Sequence, residues 1–127
     1  MMHRVFVYGS LKRGKHNNDL LYDSRFIGER LTQDETWIMR SLGAFPGVVK
    51  KFYGSLSASI SGDLYEVDDI TLKRLDTLEG NGNFYNRELV RLRNDNDPAW
   101  MYILVNHHSY GSDMQPFYEG ETFVYRW

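Results

Sequence analysis

The residue types that could do chemistry in this chain lie in two short stretches. The first is Gly9-Ser10-Leu11-Lys12-Arg13-Gly14, a small polar loop between two glycines. Successive backbone N–H groups in such a loop can converge on an anion. Glycine lets the backbone turn sharply and come close to a bound group. The second stretch is Leu78-Glu79 followed by Gly80-Asn81-Gly82-Asn83, a carboxylate at the edge of a glycine-rich loop. A carboxylate drawn out of water can take a proton from a reacting group, which makes Glu79 a general-base candidate.

Each stretch needs an element to hold it. Arg4-Val5-Phe6-Val7-Tyr8 is β-branched and aromatic and reads as a strand that runs straight into the first loop. Asp68 to Gly80 reads as a short helix, with Asp68 or Asp69 able to cap its start and Gly80 suited to its C′ position. At about 100° per residue, with Leu72 at zero, Leu75 falls at about −60°, Leu78 at about −120° and Glu79 at about −20°. Glu79 therefore lies inside the arc of the three leucines. Asp76, at about +40°, and Lys73, at about +100°, fall outside it. An inward carboxylate is costly unless it is paired or functional. The alternative is a frayed last turn that turns Glu79 to water.

Other patterns point to other chemistry and fail at a decisive position. Gly9 to Lys15 matches a phosphate-cradling P-loop until the residue that should hold Mg²⁺, which is His16 where Ser or Thr is required. An ordinary strand and turn also accounts for the glycine pair. His3, His16, His107 and His108 show no metal-ligand spacing, and the serines lack a nucleophile elbow. Tyr8-Gly9-Ser10-Leu11 recurs as Tyr53-Gly54-Ser55-Leu56 without a preceding strand signal, and reads as coincidence.

Further along, Gly62 to Val67 predicts a strand feeding the helix. Glu88 to Arg93 predicts a half-buried strand, Asn94 to Pro98 a turn, and Ala99 to Val105 the return strand of a hairpin. His16 to Asp23 predicts a short helix capped by Asn17 or Asn18. Asp113 to Gly120 reads as loop, and Phe123-Val124-Tyr125 as a last edge strand. Many short strands with one or two helices give an α+β class.

Together these blocks resemble the γ-glutamylcyclotransferase family of the AIG2-like group, and within it the γ-glutamylamine cyclotransferases. The resemblance is carried by Val5 to Gly14 with Asn17 or Asn18 following, Gly43 to Val49, Gly62 to Val67, Leu75-Asp76-Thr77-Leu78-Glu79-Gly80, Phe84-Tyr85 with Arg87, and Trp100 to Val105. The blocks stand in the family's order and cover most of residues 4 to 105. The resemblance implies a small mixed β-barrel with flanking helices, and a single domain over residues 1 to 127. It implies formation of 5-oxoproline from a γ-glutamyl amine or peptide, with release of the free amine and no metal or organic cofactor. Glu79 is then the catalytic base. Tyr8, Gly9, Ser10 and Leu11 hold the substrate, Gly9 because a Cβ would block close approach. Tyr85 and Arg87 shape the pocket, or else serve packing and a surface ion pair. Two alternatives remain: a catalytically silent small-molecule-binding module on the same fold, and a cyclotransferase for a specialised γ-glutamyl biosynthetic intermediate. The match of Val5 to Gly14 favours amines over dipeptides, with Lys12 and Arg13 as the residues able to pair with a dipeptide's second carboxylate.

Length and composition agree with one small domain. The chain has 127 residues, 15% of them aromatic, and a formal net charge of −2, so no basic field for nucleic acid is present. There is no Cys, which excludes disulfides and thiol catalysis. The sequence shows no signal-peptide pattern and no apolar run of membrane-spanning length, so the expectation is a soluble cytoplasmic protein with a small-molecule partner.

Overall fold

The computed structural model describes residues 1–50, 56–82, 84–105 and 111–127. Tyr53 to Ser55 of the repeated tetrapeptide, and His107 and His108, lie outside the described residues. The class is α+β.

The central strand is β5 (Ser59–Asp68), and nearly every residue along it is buried. A strand covered on both faces loses the polar alternation of a half-exposed one. β1 (Met2–Val7) runs antiparallel to it, with Val7 opposite Asp63 and Met2 opposite Asp68. β2 (Arg25–Leu31) also pairs with β5, with a bulge between Phe26 and Gly28. On the far side of β1 lies β7 (Ala99–Leu104), parallel to it, and β6 (Tyr85–Val90) closes a hairpin on β7. The described strands of this sheet run in the order β6-β7-β1-β5, then β10 (Thr122–Tyr125) and β9 (Phe117–Glu119). A second sheet holds β3 (Trp37–Ser41), β4 (Pro46–Lys50) and β8 (Ser112–Asp113) in the order β4-β3-β8. It meets the first at the Trp37–Ala58 bridge and where β4 packs on β7. Gly47 allows that approach, because a Cβ there would run into Leu104.

The helix, α1 (Asp69–Glu79), follows β5 without a break. The Asp68 carboxylate accepts from the Thr71 N–H at 2.7 Å, satisfying one of the orphan donors of the first turn. Gly80 ends the helix at φ 61°, a left-handed conformation that favours glycine. Its N–H reaches the Thr77 carbonyl at 3.2 Å, and the Asn81 N–H reaches that of Asp76 at 2.9 Å. Thr71, Leu72 and Leu75 are buried, whereas Leu78 is 43% exposed. The inward arc is therefore rotated from the leucine arc read in the sequence. It runs through Leu75, Glu79 and Leu72 to Asp76, and Glu79 lies near its middle.

Several boundaries differ from the sequence reading. The strand expected at Glu88 to Arg93 occupies Tyr85–Val90, because cross-strand pairing with β7 sets its register, with Tyr85 opposite Leu104. Leu89 is exposed as a result. The stretch from Asp113 to Gly120 is not all loop, since β8 ends at Asp113 and β9 lies within it. Phe123 to Tyr125 is not an edge strand: β10 sits between β5 and β9. The helix expected after His16 is one 3-10 turn, Asn18–Leu21. Asn17 stands at its start without capping it, because its side chain is spent on Ser10.

Candidate active site

The loop after β1 is held from inside. The Lys12 N–H closes a turn on the Gly9 carbonyl at 3.0 Å, and the Asn17 N–H reaches the Ser10 carbonyl at 2.9 Å. Asn17 Nδ2 donates to Ser10 Oγ at 3.0 Å, and Asn18 Nδ2 donates to the Leu11 carbonyl at 2.8 Å. Among the described residues, the N–H groups of Ser10 and Leu11 meet no protein acceptor. Two preset donors on a pinned loop are suited to holding an oxyanion or carboxylate.

Gly9 also has a packing reason within the fold. A Cβ there would come within 2.6 Å of Pro46 Cδ and 2.7 Å of its Cγ, so the missing side chain lets the loop lie against the first residue of β4.

That loop, the end of α1 and the start of β4 enclose a cavity of ≈ 330 Å³. Tyr8, Gly9, Ser10, Leu11, Glu79 and Tyr85 all line it. Phe45, Pro46 and Phe84 supply an apolar side, Tyr102 a further phenol, and His16 and Asn17 complete the loop side.

Glu79 is half-buried at the last position of the helix. Loss of hydration pushes its carboxyl up to about 7. Its charge in turn acts on three tyrosines. Burial is the main cause that raises the Tyr8 phenol, with Tyr85 and Glu79 adding to it. Burial also raises Tyr85 and Tyr102, and Glu79 contributes to both. The cavity thus holds a carboxylate able to change protonation near neutral pH, with two backbone N–H groups that have no protein acceptor among the residues of its lining. That combination suits proton transfer coupled to charge development on a carbonyl oxygen.

A family model described as γ-glutamyl cyclotransferase, AIG2-like, matches residues 5–124. The chain belongs to that family. A Vibrio cholerae protein provisionally named a γ-glutamylcyclotransferase is 36% identical over 108 residues, covering 85% of this chain and 87% of that protein. The γ-glutamylcyclotransferase family protein YtfP of Escherichia coli is 31% identical over 100 residues, 79% of this chain and 80% of its own length. Among solved structures, a mouse AIG2-like protein superposes with a TM-score of 0.73 at 25% identity, covering 85% of this chain and 80% of that one. Membership assigns the chain to an enzyme family of cyclotransferases, and its α+β fold is the one these relatives share.

Not every candidate residue reaches the cavity. Arg87 lies outside it, clamping Asp76 through Nε at 2.8 Å and Nη2 at 3.2 Å and stacking on the Trp100 ring at 4.3 Å. Lys12 Nζ donates to the Trp127 backbone oxygen at 2.6 Å. Arg13 covers the Phe26 ring at 3.9 Å, and its N–H donates to the buried Asp63 at 2.9 Å. Neither cation lines the cavity.

The Tyr8 hydroxyl is bound inside the framework. It donates to the Tyr102 carbonyl at 2.7 Å and accepts from the Val48 N–H at 3.2 Å, tying β1 to β7 and β4.

Two side chains of consequence were not singled out from sequence. Tyr102 lines the cavity and donates to Asp76 Oδ1 at 2.6 Å. Asp76, which the helical angles place outside the leucine arc, is half-buried and bound by both Arg87 and Tyr102. The signal was present in the pairing of Asp76 with Arg87 across two of the family blocks, but only the meeting of α1 with β6 and β7 makes it legible. Among the described residues no cluster of His, Asp and Glu could hold a metal ion.

Proposed function

We propose that the chain converts γ-glutamyl amines to 5-oxoproline and free amine, with Glu79 as the general base. The reaction is intramolecular. The α-amine attacks its own γ-carbonyl, a five-membered lactam closes, and the amide C–N bond breaks. The nucleophile is already tethered, so orientation and proton transfer are what the protein must supply.

The observation that carries this reading is a half-buried carboxyl raised to about 7 in the same cavity as two N–H groups without protein acceptors. Glu79 takes a proton from the substrate ammonium, freeing the lone pair that attacks. Glu79 returns that proton to the leaving nitrogen as the C–N bond breaks, then takes the second proton that the attacking nitrogen sheds to become the neutral lactam N–H; that proton leaves with the freed amine as its ammonium, so acid and base roles alternate on one group. The Ser10 and Leu11 N–H groups hold the oxygen that gains charge, or the substrate α-carboxylate.

The cavity's composition supports an amine as leaving group. Phe45, Pro46 and Phe84 offer apolar contact, and the side chains of Lys12 and Arg13 are engaged elsewhere. Among the described lining residues, the one ionisable nitrogen is on His16, which is exposed.

The test is incubation with a panel of γ-glutamyl amines, γ-glutamyl dipeptides and the ε-linked lysine conjugate, with mass spectrometry for 5-oxoproline. Lactam formation from at least one amine, faster than in a buffer blank, is the expected result. No lactam from any member would overturn the reading in favour of a silent binding module.

A further inference from the structure

The cavity wall next to Glu79 is rich in hydrogen-bond acceptors. A tyrosine hydroxyl has one proton to give and two acceptor positions. Tyr85 gives its proton to the Pro46 carbonyl at 2.8 Å. Tyr102 gives its proton to Asp76 at 2.6 Å. Tyr8 gives its own to the Tyr102 carbonyl and accepts from the Val48 N–H, so its hydroxyl is engaged on both sides by the framework. Tyr85 and Tyr102 both line the cavity and keep their lone pairs as acceptors. The Glu79 carboxylate is a third acceptor within electrostatic reach of both.

We propose that Tyr85, Tyr102 and Glu79 form a subsite that takes the three N–H bonds of a primary ammonium group, and that Asp76 is the positioning residue that sets Tyr102 as an acceptor. This rests on the γ-glutamyl reading, where the ammonium is that of the substrate. Once Glu79 has removed one proton, the two phenol oxygens hold the remaining N–H bonds, and the freed lone pair is directed away from them.

The role of Asp76 follows from what each neighbour can do. Arg87 carries only donors, so it holds whichever oxygen residue 76 offers. In the aspartate, Oδ1 accepts from both Arg87 Nε and the Tyr102 hydroxyl, and Oδ2 accepts from Arg87 Nη2. In Asp76→Ala both acceptors are gone. The Tyr102 proton then has no partner on α1 and turns toward the cavity, where it opposes an ammonium.

The experiment uses unreactive probes and needs no turnover. S-butyl-L-homocysteine sulfone keeps the amino-acid end and has no scissile amide; its counterpart lacks only the α-amino group. Calorimetry gives the affinity of each for the intact chain. Wild type is expected to prefer the amino probe by roughly tenfold to a hundredfold, the scale of hydrogen bonds to a charged group. In Asp76→Ala and in Tyr102→Phe that preference should collapse while affinity for the des-amino probe is retained. Loss of affinity for both probes alike, or an unchanged preference in both variants, overturns the subsite. So does a wild type that does not distinguish the probes. Discrimination by wild type without lactam formation in the substrate panel would uphold the subsite and sink the cyclotransferase reading, so the two failures are separable.

Discussion

Glu79 is held where its charge is poorly hydrated, and that placement has two measurable consequences of opposite sign. Its carboxyl stands at about 7 when folded, above the ordinary value of 4.5. The folded state therefore binds more protons than the unfolded one between those two values, so this group's contribution to stability falls as pH rises across that window. Activity that needs the ionised base should instead rise through about pH 7. Glu79→Gln keeps the shape and removes the titration. We expect it to lower kcat by about a hundred- to ten-thousand-fold. We also expect a higher melting temperature than wild type at pH 8 and no such gain at pH 4. Near-normal turnover in a folded variant would remove Glu79 from the mechanism. A second prediction concerns Gly9. A valine there must displace the Pro46 ring, because two atoms of that ring would lie within 2.7 Å of the added Cβ. Gly9→Val should weaken binding of a substrate analogue at least tenfold through movement of the loop, since 1 Å of misplacement is costly at such sites. Unchanged affinity by calorimetry would show that the loop tolerates the shift.

At the scale of elements, α1 is both a core component and the carrier of Glu79. Leu75 is fully buried and lies one turn before Glu79 on the same face. Leu75→Ala should cost about 2–5 kcal/mol in urea unfolding, the range for a large-to-small change in a packed core. The cavity it leaves also loosens the last helical turn, so the acid limb of the pH–rate profile should move below pH 7 as Glu79 regains water. A stability loss with an unmoved limb would mean that the Asp76–Arg87 clamp alone fixes the turn. The ends of this helix were legible in the sequence, because Asp68 and Gly80 act through local backbone geometry. Its inward face was only partly legible. Leucine positions marked the arc, but Leu78 turned outward and Asp76 inward once Arg87 and Tyr102 were brought up from β6 and β7.

At the scale of the whole molecule, the distribution of cations bears on the leaving group proposed above. Lys12 and Arg13 adjoin the substrate loop in sequence, yet β10's C-terminal extension and β2 draw them to Trp127, Phe26 and Asp63. A dipeptide's second carboxylate would enter an apolar wall without a lysine or arginine among its described lining, and a desolvated unpaired charge is costly. The expected result is a higher kcat/KM for the γ-glutamyl conjugate of the lysine ε-amine than for γ-glutamyl-alanine. A clear preference for γ-glutamyl-alanine would show that His16 or another group pairs with the carboxylate, and would move the substrate class from amines to peptides.

What the sequence determined by itself was everything set within a few residues: the strand into the glycine loop, the capped helix, the turn between β6 and β7, and the order of the family blocks. These depend on local backbone preferences and on a hydrophobic period that a single segment displays. Only the tertiary structure decided the strand register of β6, the internal place of β10, the packing reason for Gly9, and the destinations of Lys12, Arg13 and Asp76. Each of those is fixed by a partner far away in the chain, Pro46 for Gly9 and Arg87 and Tyr102 for Asp76, and no pattern within one segment encodes a partner's distance.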